Sequence, residues 1–197
     1  MSLLGLRTCC LGVCNGADTL EGEMGDDELF GGGGDDLSHG GYGDDTLVGG
    51  PGDDRLRGSS GDDVLVGARG SDTMDGGAGD DFFNGGRGYD RMAGGDGMDV
   101  FFHRGLAEHG ADWIRDFSSA EGDVLLFGDR QADPGDFELR LAHAGSGSGR
   151  PGADDLREAF VVHEPTGQAI WALVDGEGES TINIQMLGSG EFYDLAV

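Results

Sequence analysis

Glycine recurs at every ninth position from Gly16 to Gly97, and an aspartate stands two residues after each, from Asp18 to Asp99. The register holds without a break over ten nonapeptides, residues 13–102. In frame, the middle of the array reads GGYGDDTLV, GGPGDDRLR, GSSGDDVLV, GARGSDTMD, GGAGDDFFN and GGRGYDRMA. Each unit is a glycine-rich hexapeptide ending in aspartate, followed by three residues with an apolar one in the middle. That eighth position is Leu20, Leu29, Leu47, Leu56, Leu65, Met74, Phe83, Met92 or Phe101, and only Ser38 breaks it. A unit with one dependable apolar residue cannot bury a core alone, so the units must stack on one another.

Three residues in β conformation, positions 7 to 9, send one side chain inward and two outward. Two nonapeptides facing each other across the inner layer make one turn, with odd repeats on one sheet and even repeats on the other. The expected fold is therefore all-β: a parallel β-roll, or β-helix, of about five 18-residue turns, capped by a β-rich C-terminal region. The hexapeptide is expected to be the corner, where glycine allows backbone angles and close approaches that other residues do not.

Stacking the corners stacks the aspartates. Asp36, Asp54, Asp72 and Asp90 fall in one column, and Asp27, Asp45, Asp63, Asp81 and Asp99 in the other. Strands in a sheet sit roughly 4.8 Å apart. Each neighbouring pair of like charges at that spacing costs about 3 kcal/mol at an effective dielectric near 20, and about 1 kcal/mol in water. Such a coil should not hold together without cations.

The GGxGxDxUx pattern resembles the repeats-in-toxin (RTX) family, the hemolysin-type calcium-binding repeat proteins secreted by Gram-negative bacteria. The likeness covers about half the chain, and ten units in one register make it specific. It implies Ca2+ between turns, each ion taking the sixth-position aspartate of two loops one turn apart together with backbone carbonyls of the glycine corner, as a hard cation seeking 6 to 8 oxygens requires. Here the pairs are Asp18 with Asp36, Asp27 with Asp45, Asp36 with Asp54, Asp45 with Asp63, Asp54 with Asp72, Asp63 with Asp81, Asp72 with Asp90, and Asp81 with Asp99, admitting up to about eight ions. The corner glycines offered as carbonyl ligands are Gly32 and Gly34, Gly41 and Gly43, Gly50 and Gly52, Gly61, Gly70, Gly77 and Gly79, Gly86 and Gly88, and Gly95 and Gly97. Without calcium, an acidic, glycine-rich chain of this kind is expected to be disordered.

Departures from the pattern mark weak points. In GGGGDDLSH the apolar residue has slipped to Leu37, leaving Ser38 inward. Repeats one and two, VCNGADTLE and GEMGDDELF, lack leading glycines and read as an N-terminal cap, which makes the Asp18 site the weakest. The last unit ends in Val100, Phe101 and Phe102, so the coil should end against something apolar. The expected organisation is an N-terminal extension (1–12), the roll (13–102) and a β-rich cap (103–197).

In the cap, GADWIRDFSSAEGDVLLFGD is similar to the region that follows the repeats in secreted calcium-dependent, serralysin-like metalloproteases, through Asp112, Ile114, Asp116 and Phe117, with Asp123 and the strand Val124 to Phe127 behind them. In that context Asp112 is a candidate ligand for one more ion; the alternative is a turn or strand-edge carboxylate. Further strands are expected at Phe137 to Ala142, Phe160 to His163, Ala169 to Val174 and Thr181 to Met186, with a hairpin turn at EPTGQ. A loop is expected over 145–152, and a short helical turn over Ala153 to Glu158.

Composition narrows the setting. The chain has 39 acidic against 12 basic residues, no lysine, and a formal charge of −27. Nucleic acid and anionic membranes are poor partners for such a surface. No apolar run is long enough to span a bilayer. The N-terminus, MSLLGLRTCCLGVC, does not read as an ordinary signal peptide. The resemblance implies instead the type I secretion apparatus as export partner, an uncleaved C-terminal signal to which Asp194-Leu195-Ala196-Val197 is similar, and an extracellular location. Extracellular calcium modules bind at about 10⁻⁴ to 10⁻³ M, so the chain is expected to stay unfolded in a calcium-poor cytosol and to fold outside, where binding free energy becomes folding free energy.

No catalytic motif stands out. There is no His-Glu-x-x-His and no Gly-x-Ser-x-Gly, and between His103 and His109 the only acid is Glu108. His39, His103, His109, His143 and His163 read as scattered surface or strand residues, and Cys9, Cys10 and Cys14 as part of an N-terminal extension rather than a metal or disulfide cluster. The expected function is that of a non-enzymatic, secreted calcium-binding module. The alternative is the C-terminal calcium-binding and export portion of a larger secreted protease, lipase or adhesin.

Overall fold

The computed structural model describes residues 2–4, 10–12, 15–104, 109–128, 137–143, 157–163, 168–173, 181–186 and 192–196. Strands Ser2–Leu4 (β1) and Cys10–Gly12 (β2) lead into the array. The array supplies Thr19–Met24 (β3), Glu28–Phe30 (β4), Leu37–Tyr42 (β5), Thr46–Pro51 (β6), Arg55–Ser60 (β7), Val64–Arg69 (β8), Thr73–Ala78 (β9), Phe82–Arg87 (β10), Arg91–Asp96 (β11) and Val100–His103 (β12). Beyond it lie Asp112–Ile114 (β13), Val124–Phe127 (β14), Phe137–His143 (β15), Arg157–His163 (β16), Gln168–Leu173 (β17), Thr181–Met186 (β18) and Phe192–Ala196 (β19).

Odd-numbered strands from β1 to β13 line up in one sheet, and even-numbered strands from β2 to β14 in the other. Neighbours are parallel and paired one turn apart, as in Leu47↔Leu65, Leu56↔Met74 and Phe83↔Phe101. This is the parallel β-roll of about five turns that the nonapeptide period predicts. β1 and β2 also fall into register, Leu3 opposite Leu20 and Leu11 opposite Leu29, which the array pattern alone does not announce.

The eighth-position side chains from Leu20 to Phe101 form the inner layer, all nearly inaccessible to solvent. The break in pattern behaves as expected: Ser38 is 0% exposed in that layer while Leu37 is 47% exposed. Ser38 Oγ is buried without a hydrogen-bond partner.

The glycine-rich half is less of a corner than its composition suggests. Most array strands run six residues, through positions 7 to 9 and on into positions 1 to 3 of the next unit. Ladder pairs such as Gly50↔Ala68 and Pro51↔Arg69 carry the sheet into that region. Only positions 4 to 6 then turn the chain, because the backbone groups of positions 2 and 3 have partners one turn away and gain more by pairing than by turning.

The C-terminal strands extend the same two sheets. β17 adds to β13 in parallel, and β16 and β15 follow antiparallel. β18 adds to β14 in parallel, and β19 follows antiparallel. The four strands expected beyond residue 128 are present as β15 to β18. The expected helical turn at Ala153 to Glu158 is corrected at its end, where Arg157 and Glu158 open β16 because they pair with His143 and Ala142; residues 153–156, the loop at 145–152, most of EPTGQ, Cys9 and Cys14 lie outside the described residues.

Where roll meets cap, Phe101 stacks on Phe83 at 4.9 Å and faces Phe117 at 6.4 Å between ring centroids. The inner layer continues through Ile114, Leu125, Phe127, Val161, Ile170 and Trp171. The Phe101 end of the array thus meets an apolar interior.

Candidate cation-binding columns

The sixth-position aspartates do not point to solvent. From Asp27 to Asp99 each is buried, at most 2% exposed. The backbone N–H of each donates to the carboxylate of the aspartate one turn on, as in Asp45 N–H to Asp63 Oδ1 at 2.7 Å and Asp63 N–H to Asp81 Oδ1 at 2.8 Å. The same bond links Asp18 with Asp36, Asp27 with Asp45, Asp36 with Asp54, Asp54 with Asp72, Asp72 with Asp90, and Asp81 with Asp99. Every pair inferred from the period is therefore brought together across a turn. Asp18 is only half-buried, unlike the others.

The second carboxylate oxygen carries the chemistry. Oδ2 of Asp36, Asp45, Asp54, Asp63, Asp72, Asp81, Asp90 and Asp99 is buried with no hydrogen-bond partner. An orphaned charged oxygen of this kind is costly, and one per half-turn cannot be sustained by packing alone. Burial pushes Asp72, Asp81 and Asp99 up to about 7, and Asp45 and Asp63 up to about 6. The N–H bond from the previous turn pulls each back in part, and neighbouring carboxylates push it up again.

The first-position glycines explain how those oxygens fit inside. A Cβ on Gly49 or Gly58 would overlap the carboxylate of Asp54 or Asp63, five residues on. At Gly31, Gly67 and Gly76 the space a Cβ would fill is lined both by an aspartate Oδ2 and by the carbonyl oxygen of the first-position glycine one turn on, Gly49, Gly85 or Gly94. Among the described residues no three His, Cys, Asp or Glu side chains converge as a metal site. A cation here would rely on aspartate pairs and backbone carbonyls, and the oxygen-lined cradle fits a hard one.

The corner glycines at positions 2 and 4 have a separate duty. Those offered as ligands, from Gly32 to Gly97, all have φ between 94° and 145°. At Gly50 and Gly52 a Cβ would also strike the carbonyls of Gly32 and Gly34. Left-handed geometry and close stacking therefore both favour glycine there, although Glu23, Ser59 and Ala68 hold the second position with positive φ in three other units.

Some participants were not foreseen. The first-position carbonyls are one group. Another is the fifth-position aspartates, which form an exposed ladder of opposite sense: Asp26, Asp44 and Asp62 accept the N–H of Asp44, Asp62 and Asp80 one turn on. The repeated Asp-Asp dipeptide was the available signal. A third is Asp123, buried and accepting the Asp99 N–H at 2.9 Å, with burial pushing it up to about 6. The string Asp-Val-Leu-Leu-Phe, echoing Asp-Val-Phe-Phe at 99–102, was its signature. Asp112 is fully buried and lies against Asp90, and its carboxyl is held well above its ordinary range by burial and then by the Asp90 charge.

Of the histidines read as surface or strand residues, His103 and His163 stand in strands, β12 and β16, and only His109 departs from that reading, being buried outside a strand; the aromatic interior of the cap takes in all three. His103 packs against His109, Phe127 and Trp171, and His163 against Phe127 and Phe137. His39 is exposed, its Nε2 2.8 Å from Ser59 Oγ.

Geometry defines the class first: a parallel β-roll with two inward columns of carboxylates. Residues 15–37, 39–74 and 75–104 match the RTX calcium-binding nonapeptide repeat, in four copies. The array thus matches RTX repeats, which are a calcium-binding type. The match stops at residue 104 and does not reach the serralysin-like stretch. Among curated proteins none matches this chain. Among solved structures it is similar to the AlgE6R3 subunit of the Azotobacter vinelandii mannuronan C5-epimerase, with a TM-score of 0.43 and 19% identity over 97% of this chain and 92% of that one. Among the described residues no helix is long and apolar enough to cross a membrane.

Proposed function

We propose that the chain is an exported calcium-binding module whose β-roll forms when calcium fills the two aspartate columns. The observation that carries this reading is the repeated, buried and unpartnered Oδ2 beside a glycine carbonyl. The eight rungs from Asp18–Asp36 to Asp81–Asp99 admit up to eight ions. Each ion replaces repulsion between neighbouring carboxylates with attraction and takes up an oxygen that has no other partner. The corner carbonyls at positions 2 and 4 complete the ligand set.

Export follows from the same chemistry. With calcium scarce the columns repel, so the chain stays extended and threadable; where calcium is abundant it folds. The acidic, lysine-free composition and the habit of RTX repeats to occur in secreted proteins support an extracellular setting and type I export. The module is non-catalytic on this reading.

Small-angle scattering tests it. A chain of 197 residues has a radius of gyration of about 48 Å unfolded and about 16 Å as a compact globule. Millimolar calcium should bring the chelated protein from near the first value toward the second. A radius that does not change on adding calcium contradicts the proposal.

A further inference from the structure

The two sheets of the roll present different outer faces. On the sheet of odd-numbered strands, Arg55, Arg57 and Arg91 occupy outward positions of β7 and β11 and are exposed. On the other sheet, the outward seventh and ninth positions of β6, β8, β10 and β12 are Val48, Val64, Val66, Phe82, Val100 and Phe102, with Thr46 and Asn84 the two polar ones. None of these carries a charge, in a chain of formal charge −27. All are half-buried, and Phe82 stacks on Phe102 with ring centroids 6.2 Å apart. Leu126 on β14 extends the apolar row by one strand.

The edges of this face carry opposite charges. β8 is preceded by Asp62 and ends in Arg69, and β10 is preceded by Asp80 and ends in Arg87. Asp62 and Asp80 belong to the exposed fifth-position ladder, which also holds Asp44 ahead of β6. Arg69 and Arg87 are register partners, and both are exposed. At the corner beyond them the fifth position is Ser71 and then Tyr89, where earlier turns have Asp35 and Asp53. Both central strands therefore run from an acidic edge to a basic one.

We infer that this face packs against the same face of a second copy of the chain, about a two-fold axis parallel to the axis of the roll. Rotation about that axis reverses the strands, so Arg69 and Arg87 of each copy meet Asp62 and Asp80 of the other. A two-fold axis parallel to the strands would bring like edges together, and charge disfavours it. Two sheets stacked in this way sit about 10 Å apart with their side chains interdigitated. The contact is isologous, so it closes as a dimer and does not propagate. Five strands about 4.8 Å apart and six residues of about 3.3 Å give a footprint of about 480 Å2 a side. A standard interface buries about 800 Å2 per partner, so the dimer is weak and reversible. The inference rests on the geometry of the roll and not on the cation reading of its columns.

Sedimentation velocity of the full-length chain tests it, under whichever condition, millimolar calcium or chelator, gives the full far-UV β signal. From low micromolar to submillimolar concentration the wild type should pass from monomer to dimer. Val66→Asp puts a charge in the middle of the face and should raise the midpoint concentration by about tenfold or more. Arg69→Glu, at an exposed edge, should raise it by about tenfold, and Arg57→Glu on the opposite sheet should leave it unchanged. The far-UV spectrum of each variant reports whether the roll is intact, and if Val66→Asp does not fold, Arg69→Glu decides. A wild type that stays monomeric, association that grows beyond a dimer, a midpoint that Arg69→Glu does not move, or one that Arg57→Glu moves equally overturns the inference.

Discussion

The array and the cap share two continuous sheets but hold their interiors together by different means. In the roll nearly every nonapeptide contributes one apolar side chain and one buried carboxylate, Ser38 and the half-buried Asp18 being the exceptions, so the layer from Leu20 to Phe101 is flanked by two lines of carboxylates. In the cap the interior is aromatic and aliphatic, with Phe127, Phe137, Val161, Ile170 and Trp171 packed around His103 and His163. On the proposed reading the roll is completed by counter-ions, whereas the cap resembles an ordinary hydrophobic core. On that reading one sheet runs from a region whose stability is set by calcium into one whose stability is set by packing.

Substitutions should separate the two. Asp63 belongs to two rungs, with Asp45 and with Asp81. If each rung contributes about 2.7 kcal/mol at calcium about 100-fold above its Kd, Asp63→Ala should cost about 5 kcal/mol. It should also raise the calcium midpoint and lower the cooperativity of folding in a titration. In the cap, Phe127→Ala should cost about 3–5 kcal/mol through lost packing, measured by denaturation in calcium, while leaving the number of bound ions unchanged. Equal effects of the two variants on ion count would erase the distinction.

Acid should act on the two regions in opposite directions. In the calcium-free chain the raised carboxyls of Asp72, Asp81 and Asp99 favour folding while protonated, so their contribution is complete below about 3.8 and lost as pH rises through about 7. His103 is pushed down to about 4, first by burial, so its contribution is present above 6.5 and lost as pH falls toward 4. That shift corresponds to about 3 kcal/mol. In chelator, lowering the pH from 7.5 to about 5 should raise the far-UV β signal, while in calcium the same change should destabilise the packing around Trp171, read from its emission. The smallest effect concerns Ser38, whose register partners are Leu20 and Leu56. Ser38→Leu removes a buried orphan hydroxyl and should stabilise the calcium-loaded chain by about 1–3 kcal/mol in chemical denaturation.

Much of this architecture is legible in the residues because the period is strict. An apolar residue every ninth place admits one inner layer, and an aspartate two places earlier meets its partner one turn away, which is why the Asp45–Asp63–Asp81 series is readable in advance. Legibility fails where composition and geometry part company. Glycines at positions 1 to 3 read as turn, yet they extend the strands, and Gly49 is required by the Asp54 carboxylate rather than by its own backbone. Asp123 escapes because the looped-out residues before it break the 18-residue spacing. The burial of His103 and His163 depends on contacts between β12, β14, β16 and β17, and no local pattern encodes them.

Far-UV circular dichroism of the full-length chain at neutral pH, in excess chelator and then in millimolar calcium, tests the central claim most directly. The buried carboxylate columns predict a disordered spectrum in chelator and a cooperative gain of β signal as calcium is added. A chain already showing its full β signal in chelator would contradict the account.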